Sequence, residues 1–403
     1  MHLPLLHAAL FTPMGRGRWG LPILFEGEPG VAKTSILEDF AARISAGTPG
    51  GFPCEVLSPG ERGEGAFGVV PVPAQRGDAV LLTYPPPEWS SAFAAAQRGL
   101  VFCDEVTSAP AMIQAPMLGL LTGRRIGGAQ LPPGTRLIGA ANPVELAAYG
   151  HDLAPPLANR FGWIKWRNPT ADEHAAYMMG TATEEVGEPI DAAREEARVM
   201  MAWPEAYARA VGLETAFLRA QPNWKNMCPK AGDPKASRAW PSDRSWTYAA
   251  RAHAGAIVHR LEEKLRDELM AGFVGEVAYE AYSVWAEHAD MPDAAAVLDG
   301  HEKFKHDPRR LDRTAALLAA CTTLAVSTTD AETRNRRATT LWGVLGDVGG
   351  HAQDLVVGSA TTLTRSRLHC ATPDQLRAAT RILADLQHVV ELAGITAGQA
   401  VVA

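Results

Sequence analysis

Gly27-Glu28-Pro29-Gly30-Val31-Ala32-Lys33-Thr34 lies directly after the apolar run Leu21 to Phe25 and directly before a helix-length segment, Thr34 to Ile44. That context restricts the fold more than any other feature of the chain. A loop of small residues between a buried strand and a helix start turns consecutive backbone N–H groups toward one point, and the helix dipole adds its positive end. Such a loop cradles a phosphate. Lys33 is then placed to reach the outer phosphates, and the Thr34 hydroxyl to bind Mg²⁺. The usual pattern has Gly immediately before the Lys, whereas Ala32 stands here; the loop is expected to work with Ala32 at negative φ, where a methyl is unstrained. The plainer alternative is a Gly/Pro strand-to-helix turn.

The surrounding texture favours the first reading. Leu21 to Phe25, Glu55 to Leu57, Leu100 to Cys103, Leu137 to Ala141 and Trp163 to Trp166 are short apolar runs that read as buried strands, with helix-length segments at Thr34 to Ile44, Pro87 to Gln97 and Ala109 to Leu121 between them. Alternation of this kind predicts an α/β fold with a parallel sheet covered by helices on both faces. From about Asn168 the texture changes. Thr170-Ala171-Asp172-Glu173 has the capping-box spacing and opens a series of Ala-, Leu- and Glu-rich segments without strands. Helices are predicted near 171–180, 190–202, 205–219, 243–270, 272–288, 311–326, 330–345 and 374–394, with Gln221 to Pro241 as an ordered loop. The interval Gly346 to Thr364 has no clear pattern.

Composition sets the outer limits. At 403 residues, two or three domains are expected, and 47% apolar with 21% charged residues describes a folded, soluble chain. No run is long and apolar enough to span a bilayer, and the start shows no secretory signal, so a cytoplasmic protein is expected. The five cysteines, Cys54, Cys103, Cys228, Cys321 and Cys370, include no C-x-x-C pair and read as reduced and structural. Residues 1–170 carry 13 basic and 13 acidic residues, leaving 25 and 32 for the remainder, so the net charge of -7 belongs to the later part. Neither part is a basic nucleic-acid surface.

Further residues can carry chemistry. Leu100-Val101-Phe102-Cys103-Asp104-Glu105 is a buried strand ending in two carboxylates, where ligands of open α/β sheets gather. Asp104 can position Mg²⁺ there and Glu105 can polarise a water. An acidic pair closing a surface strand is the alternative. Asn142 ends the run Leu137 to Ala141 and can hold a water or meet the outermost phosphate; an Asn-Pro turn with Pro143 is the alternative. Arg160 stands just before the last apolar run, where it can stabilise transition-state charge in a neighbouring copy, or be a solvated surface group. Phe67, in the loop Gly63 to Val70, reads most simply as core packing. Arg124 and Arg125 read as a helix end in solvent. His301 and His306 are five apart and on a helix diverge by about 140°, so they do not form a zinc site. Arg334, Arg336 and Arg337 read as a solvated helix face.

In this order the motifs resemble those of the AAA+ ATPases, and among them the MoxR-like branch, in which a G-x-P-G-x-A-K-T loop is familiar. The resemblance covers residues 1 to about 260. It implies that Gly27, Glu28, Pro29, Gly30, Val31, Ala32, Lys33 and Thr34 form the Walker A loop, Asp104 and Glu105 the Walker B pair, Asn142 the sensor 1 residue and Arg160 the arginine finger. It also implies a sensor 2 arginine, matched by Arg244 within Trp240 to Trp246, with Ser242 as helix N-cap and Arg244 facing the nucleotide. The resemblance further implies Phe67 as a candidate grip for a polypeptide in a ring pore, against core packing as the commoner role, and Arg124 and Arg125 as candidates to touch a neighbour's nucleotide. Asn159 departs from the family's usual Asp. The implied architecture is a P-loop core at 1–168, an α-helical lid at 169–270 and an α-helical C-terminal extension at 271–403. The implied activity is Mg²⁺-dependent ATP hydrolysis in a ring, a hexamer, that remodels a protein partner carrying a von Willebrand factor A domain. The competing expectation is a nucleotide-gated scaffold or regulator, in a defence or phage-associated assembly, with slow turnover.

Overall fold

The computed structural model describes residues 3–59, 65–68, 70–146, 150–179, 188–230 and 232–368. The five apolar runs become five parallel strands: β1 (Ile23–Glu26), β2 (Cys54–Leu57), β3 (Arg98–Cys103), β4 (Gly134–Ala141) and β5 (Gly162–Lys165). They lie side by side in the order β5-β1-β4-β3-β2. All but the first residues of β3 and β4 are buried, because central strands of a parallel sheet are covered on both faces; this is why they read as continuous apolar runs and not as alternating ones. Register sets their ends level: Glu26 pairs with Ala141 and with Lys165, and Gly139 pairs with Cys103. The carboxyl ends of β1, β4 and β3 therefore form one edge, where each chain direction leads into a loop.

Helices α1 (Leu3–Leu10), α2 (Lys33–Gly47), α3 (Ser90–Ala96), α4 (Ala111–Gly123), α5 (Pro155–Ala158) and α6 (Ala171–Met178) belong to the same part of the chain as the sheet. The remaining described helices are α7 (Ala192–Ala220), α8 (Asp243–His259), α9 (Glu263–Val274), α10 (Glu276–Glu287), α11 (Ala294–Leu298), α12 (Leu311–Ser327), α13 (Ala331–Gly349) and α14 (Gln353–Arg365). The chain forms two compact units, Met1–Met200 with Asn226–Tyr279, and Met201–Lys225 with Glu280–Ala403. The core of the second gathers Cys321, Leu324, Leu341, Trp342, Leu345 and Leu363, and the Trp342 indole donates to Leu368 O at 2.9 Å.

Several local expectations change. Helix α7 runs unbroken through Pro204 where two helices are predicted. The single helix predicted over 243–270 is two, because Arg260 adopts φ 53° and closes α8 with its N–H on Ile257 O. The patternless interval after Gly346 holds the end of α13 and all of α14. Three antiparallel hairpins, Pro13–Gly15 with Arg18–Trp19, Val72–Arg76 with Ala79–Thr83, and Arg125–Ile126 with Ala129–Gln130, escape sequence reading because strands of two to five residues carry no period. The helix predicted at 374–394 and Cys370 lie outside the described residues.

Phe67 is fully buried among Leu57, Phe93, Met117 and Ile126, so it packs the core and presents no grip; the rest of its predicted loop is only partly described. Arg337 is buried and clamps both oxygens of Asp299, at 3.0 and 2.7 Å, so that member of the Arg334–Arg337 cluster is not solvated. His306 is bound to Thr314 Oγ1 at 2.9 Å, outside any helix. Among the described residues no helix is long and apolar enough to cross a membrane.

Candidate functional site

The loop from Gly27 to Thr34 joins β1 to α2 at the carboxyl edge of the sheet. Its geometry follows from two glycines. Gly27 sits against Trp166, where a Cβ would come within 2.7 Å of the Trp166 Cβ, and Gly30 has φ +79°, which only glycine adopts without strain. The Trp166 indole donates to Val31 O at 3.1 Å and holds the loop from the β5 side. Glu28, Pro29 and Gly30 are exposed, leaving the outer rim of the loop open to solvent.

Ala32 departs from expectation. Its φ is 60° and its ψ 26°, the left-handed conformation, in place of the negative φ predicted. A Cβ in that conformation crowds the backbone at a cost of roughly 1–2 kcal/mol. The position is the N-cap of α2, where the chain must swing from loop to helix, and the geometry glycine would adopt freely is imposed on alanine. Strain of this kind collects where a loop is shaped for a ligand.

Lys33 is 7% exposed and its Nζ donates to Gly27 O at 2.8 Å, Glu28 O at 2.7 Å and Asn142 Oδ1 at 3.0 Å. Burial pushes its ammonium below the ordinary lysine range, while the charges of Asp104 and Glu105 oppose that shift. One residue on, Thr34 Oγ1 donates to Asp104 Oδ2 at 2.5 Å. The other Asp104 oxygen accepts from Glu105 N at 2.9 Å. Glu105, like Ala32, is left-handed, with φ 50°, and its carbonyl accepts from Ser108 N and Ser108 Oγ. The strand thus ends in a sharp turn that leaves both carboxylates half-buried at its tip. Lys33, Thr34, Asp104, Glu105 and Asn142 are brought together at one end of the sheet.

A hydroxyl and a carboxylate make a hard oxygen donor set, which suits Mg²⁺ better than a thiophilic metal. Lys33 supplies a fixed positive charge beside them. The arrangement can hold a polyphosphate on the loop amides with a divalent ion at Thr34 and Asp104.

Arg160 and Arg244 are placed elsewhere. Arg160 comes two residues before Gly162, which pairs with Ile23, the first residue of β1, so Arg160 sits at the end of the sheet opposite the loop. Its guanidinium lies below the ordinary arginine range through burial and then the neighbouring charge of Arg244, and its Nε has no hydrogen-bond partner among the described residues. Ser242 caps α8, accepting from Ser245 N at 3.1 Å, while Ser242 N donates in return to Ser245 Oγ. Arg244 is exposed in the first turn of that helix, beside Arg160. Arg124 is 4% exposed, and burial followed by Arg18 pushes it down to about 9, so it is no solvated helix end; Arg125 is exposed.

Three supporting residues were not singled out by sequence. Thr107 Oγ1 donates to Asn142 O at 3.0 Å, fixing the end of β4 to the turn after Glu105. Gln114, buried on α4, donates to Ala109 O and Asp152 O and accepts from Ala154 N. Trp166 seats Gly27 at the start of the β1–α2 loop. Only Trp166 carried a signal, as a large aromatic at the exit of an apolar run.

No protein-family model matches the chain, and no curated protein matches it. Among solved structures it is similar to a candidate ATPase from Cytophaga hutchinsonii, with a TM-score of 0.44 and 12% identity, over 68% of this chain and 80% of that one. So weak a likeness decides nothing about chemistry.

Proposed function

We propose that the chain is a Mg²⁺-dependent ATPase of the MoxR-like AAA+ type. One observation carries the reading: Lys33, Thr34, Asp104 and Asn142 converge on the open loop at the carboxyl edge of the sheet. In this reading the backbone N–H groups of the loop Gly27 to Thr34, Pro29 excepted, bind the phosphates, and Lys33 neutralises the outer ones. Thr34 and Asp104 would hold Mg²⁺, which supplies charge neutralisation when bound. Glu105 polarises the attacking water, and Asn142, held by Lys33 and Thr107, orients it.

Arg160 stands away from its own loop, which supports its use by an adjoining copy in a head-to-tail ring, taken as a hexamer. Residues 1–168 then act as the ATPase core, 169–270 as its lid and 271–403 as an extension. The client is a protein partner, with a von Willebrand factor A domain protein as the named candidate, and the setting is cytoplasmic.

Phosphate release and nucleotide binding test this. Lys33→Ala should abolish binding of a fluorescent ATP analogue, and Glu105→Gln should retain binding while hydrolysis falls by about 10²-fold or more. Unchanged affinity in Lys33→Ala would refute the loop assignment. Equally low turnover in wild type and Glu105→Gln would mark a nucleotide-gated scaffold instead.

A further inference from the structure

Asn159 stands at the end of α5, immediately before Arg160, and is 2% exposed. Its amide does two different things. Nδ2 donates to Trp240 O at 2.8 Å, and Oδ1 accepts from Ser242 Oγ at 2.9 Å. Ser242 Oγ in turn accepts from Ser245 N, and Ser245 Oγ donates to Trp240 O at 3.0 Å. The four groups close a ring of hydrogen bonds joining the residue before Arg160 to the cap two residues before Arg244. An aspartate could accept from Ser242 but could not donate to Trp240 O.

No described carboxylate pairs with Arg160 or Arg244. Two cations held close together without a counter-ion repel each other, and fixing both backbones keeps the pair near one another. The Asn159 ring does so from each side.

We infer that Asn159 is a positioning residue that locks Arg160 and the first turn of α8 into one body, so that the two guanidiniums meet a single polyphosphate from the same side. The inference rests on the nucleotide reading above and deepens it. Arg244 then serves the ligand that Arg160 serves, in an adjoining copy, and not the loop of its own chain. The Arg160 guanidinium is itself held by a bond from Nη1 to Pro156 O, while its Nε is buried without a partner among the described residues.

The experiment measures turnover and the affinity of a fluorescent ATP analogue for the full chain in Asn159→Asp, Ser242→Ala and Ser242→Thr. Asn159→Asp and Ser242→Ala should lower kcat tenfold or more with affinity within twofold, and Ser242→Thr, which keeps the hydroxyl, should stay within threefold of wild type. Arg244→Ala should cost at least tenfold in wild type and less than threefold on top of Asn159→Asp. Full turnover in Asn159→Asp, or an undiminished effect of Arg244→Ala in that background, overturns the inference. If Asn159→Asp does not fold, the contrast between Ser242→Ala and Ser242→Thr decides: equal rates overturn it. Should Arg160→Ala and Arg244→Ala both turn over normally while Lys33→Ala loses nucleotide, the inference fails and the nucleotide reading stands; should Lys33→Ala keep nucleotide, both fail.

Discussion

Thr34 Oγ1 lies 2.5 Å from Asp104 Oδ2 although 70 residues separate them in sequence. Sheet order explains the meeting. Only β4 stands between β1, which feeds the Thr34 helix, and β3, which ends at Asp104. If this pair holds the divalent ion, Thr34→Ala and Asp104→Asn should each raise the Mg²⁺ concentration for half-maximal hydrolysis on the order of tenfold. Binding of nucleotide in EDTA should change little. A Mg²⁺ titration of phosphate release checks this, and an unmoved midpoint counts against the pair as ligands.

The left-handed Ala32 makes a prediction of opposite sign to most mutations. Ala32→Gly removes strain of roughly 1–2 kcal/mol in the folded state and adds about 0.5–1 kcal/mol of backbone entropy to lose. The net change should be neutral to mildly stabilising, with nucleotide affinity kept. Ala32→Val places a β-branched residue at positive φ and should destabilise by about 1–2 kcal/mol beyond wild type. Calorimetric Tm values for the three proteins distinguish these outcomes, and a large loss in Ala32→Gly contradicts the backbone geometry.

What could be read ahead of the structure follows a physical line. The sheet was legible because strands buried on both faces must be apolar throughout, and the loop's place between β1 and α2 because small residues separate an apolar run from a helix-length segment. Ala32 departs from expectation because residue type constrains φ weakly where the chain must swing from a strand into a helix N-terminus. Phe67 takes the core role weighed as the commoner one, enclosed by residues 57, 93 and 126, whereas the solvated readings of Arg124 and Arg337 fail because burial is decided by distant partners, Asp299 neutralising Arg337. Arg260 ended a helix without any glycine to announce it. The Asn159 ring joins residues more than 80 positions apart, and no local pattern reports that.

A polar node should make the first unit acid-sensitive. His7 Nε2 and Glu195 Oε1 are 2.9 Å apart, Arg198 binds both Glu195 oxygens, and His259 Nδ1 lies 3.2 Å from the Arg198 guanidinium. Burial, then the charges of His7 and Arg198, push His259 down to about 4. The unfolded chain therefore takes up this proton more readily, and its contribution to stability is complete above the ordinary histidine range near 6.5 and is lost as pH falls toward 4. Glu195 also lies below its ordinary range, chiefly through its bonds from Arg198, and adds a loss of the same sign at still lower pH. Urea unfolding of wild type should weaken between pH 7 and 5 more than that of His259→Gln. Parallel pH profiles for the two proteins would remove His259 as the cause.

Gly27 and Trp166 supply a last test, of the loop's shape and not its charges. A methyl at Gly27 meets the Trp166 Cβ at 2.7 Å, and Trp166 has little freedom to retreat. Its ring is edge-on to Phe25 at 5.0 Å and its indole is bound to Val31 O, so the side chain is fixed from both ends. Gly27→Ala must therefore push the loop outward, displacing the carbonyl that Lys33 Nζ holds at 2.8 Å. Nucleotide affinity should fall by tenfold or more, about 1.4 kcal/mol. Removing the opposing Cβ should relieve the contact: Trp166→Gly combined with Gly27→Ala is expected to bind nucleotide better than Gly27→Ala alone, a non-additive pair in a double-mutant cycle. Strictly additive losses would mean that Trp166 does not shape the loop.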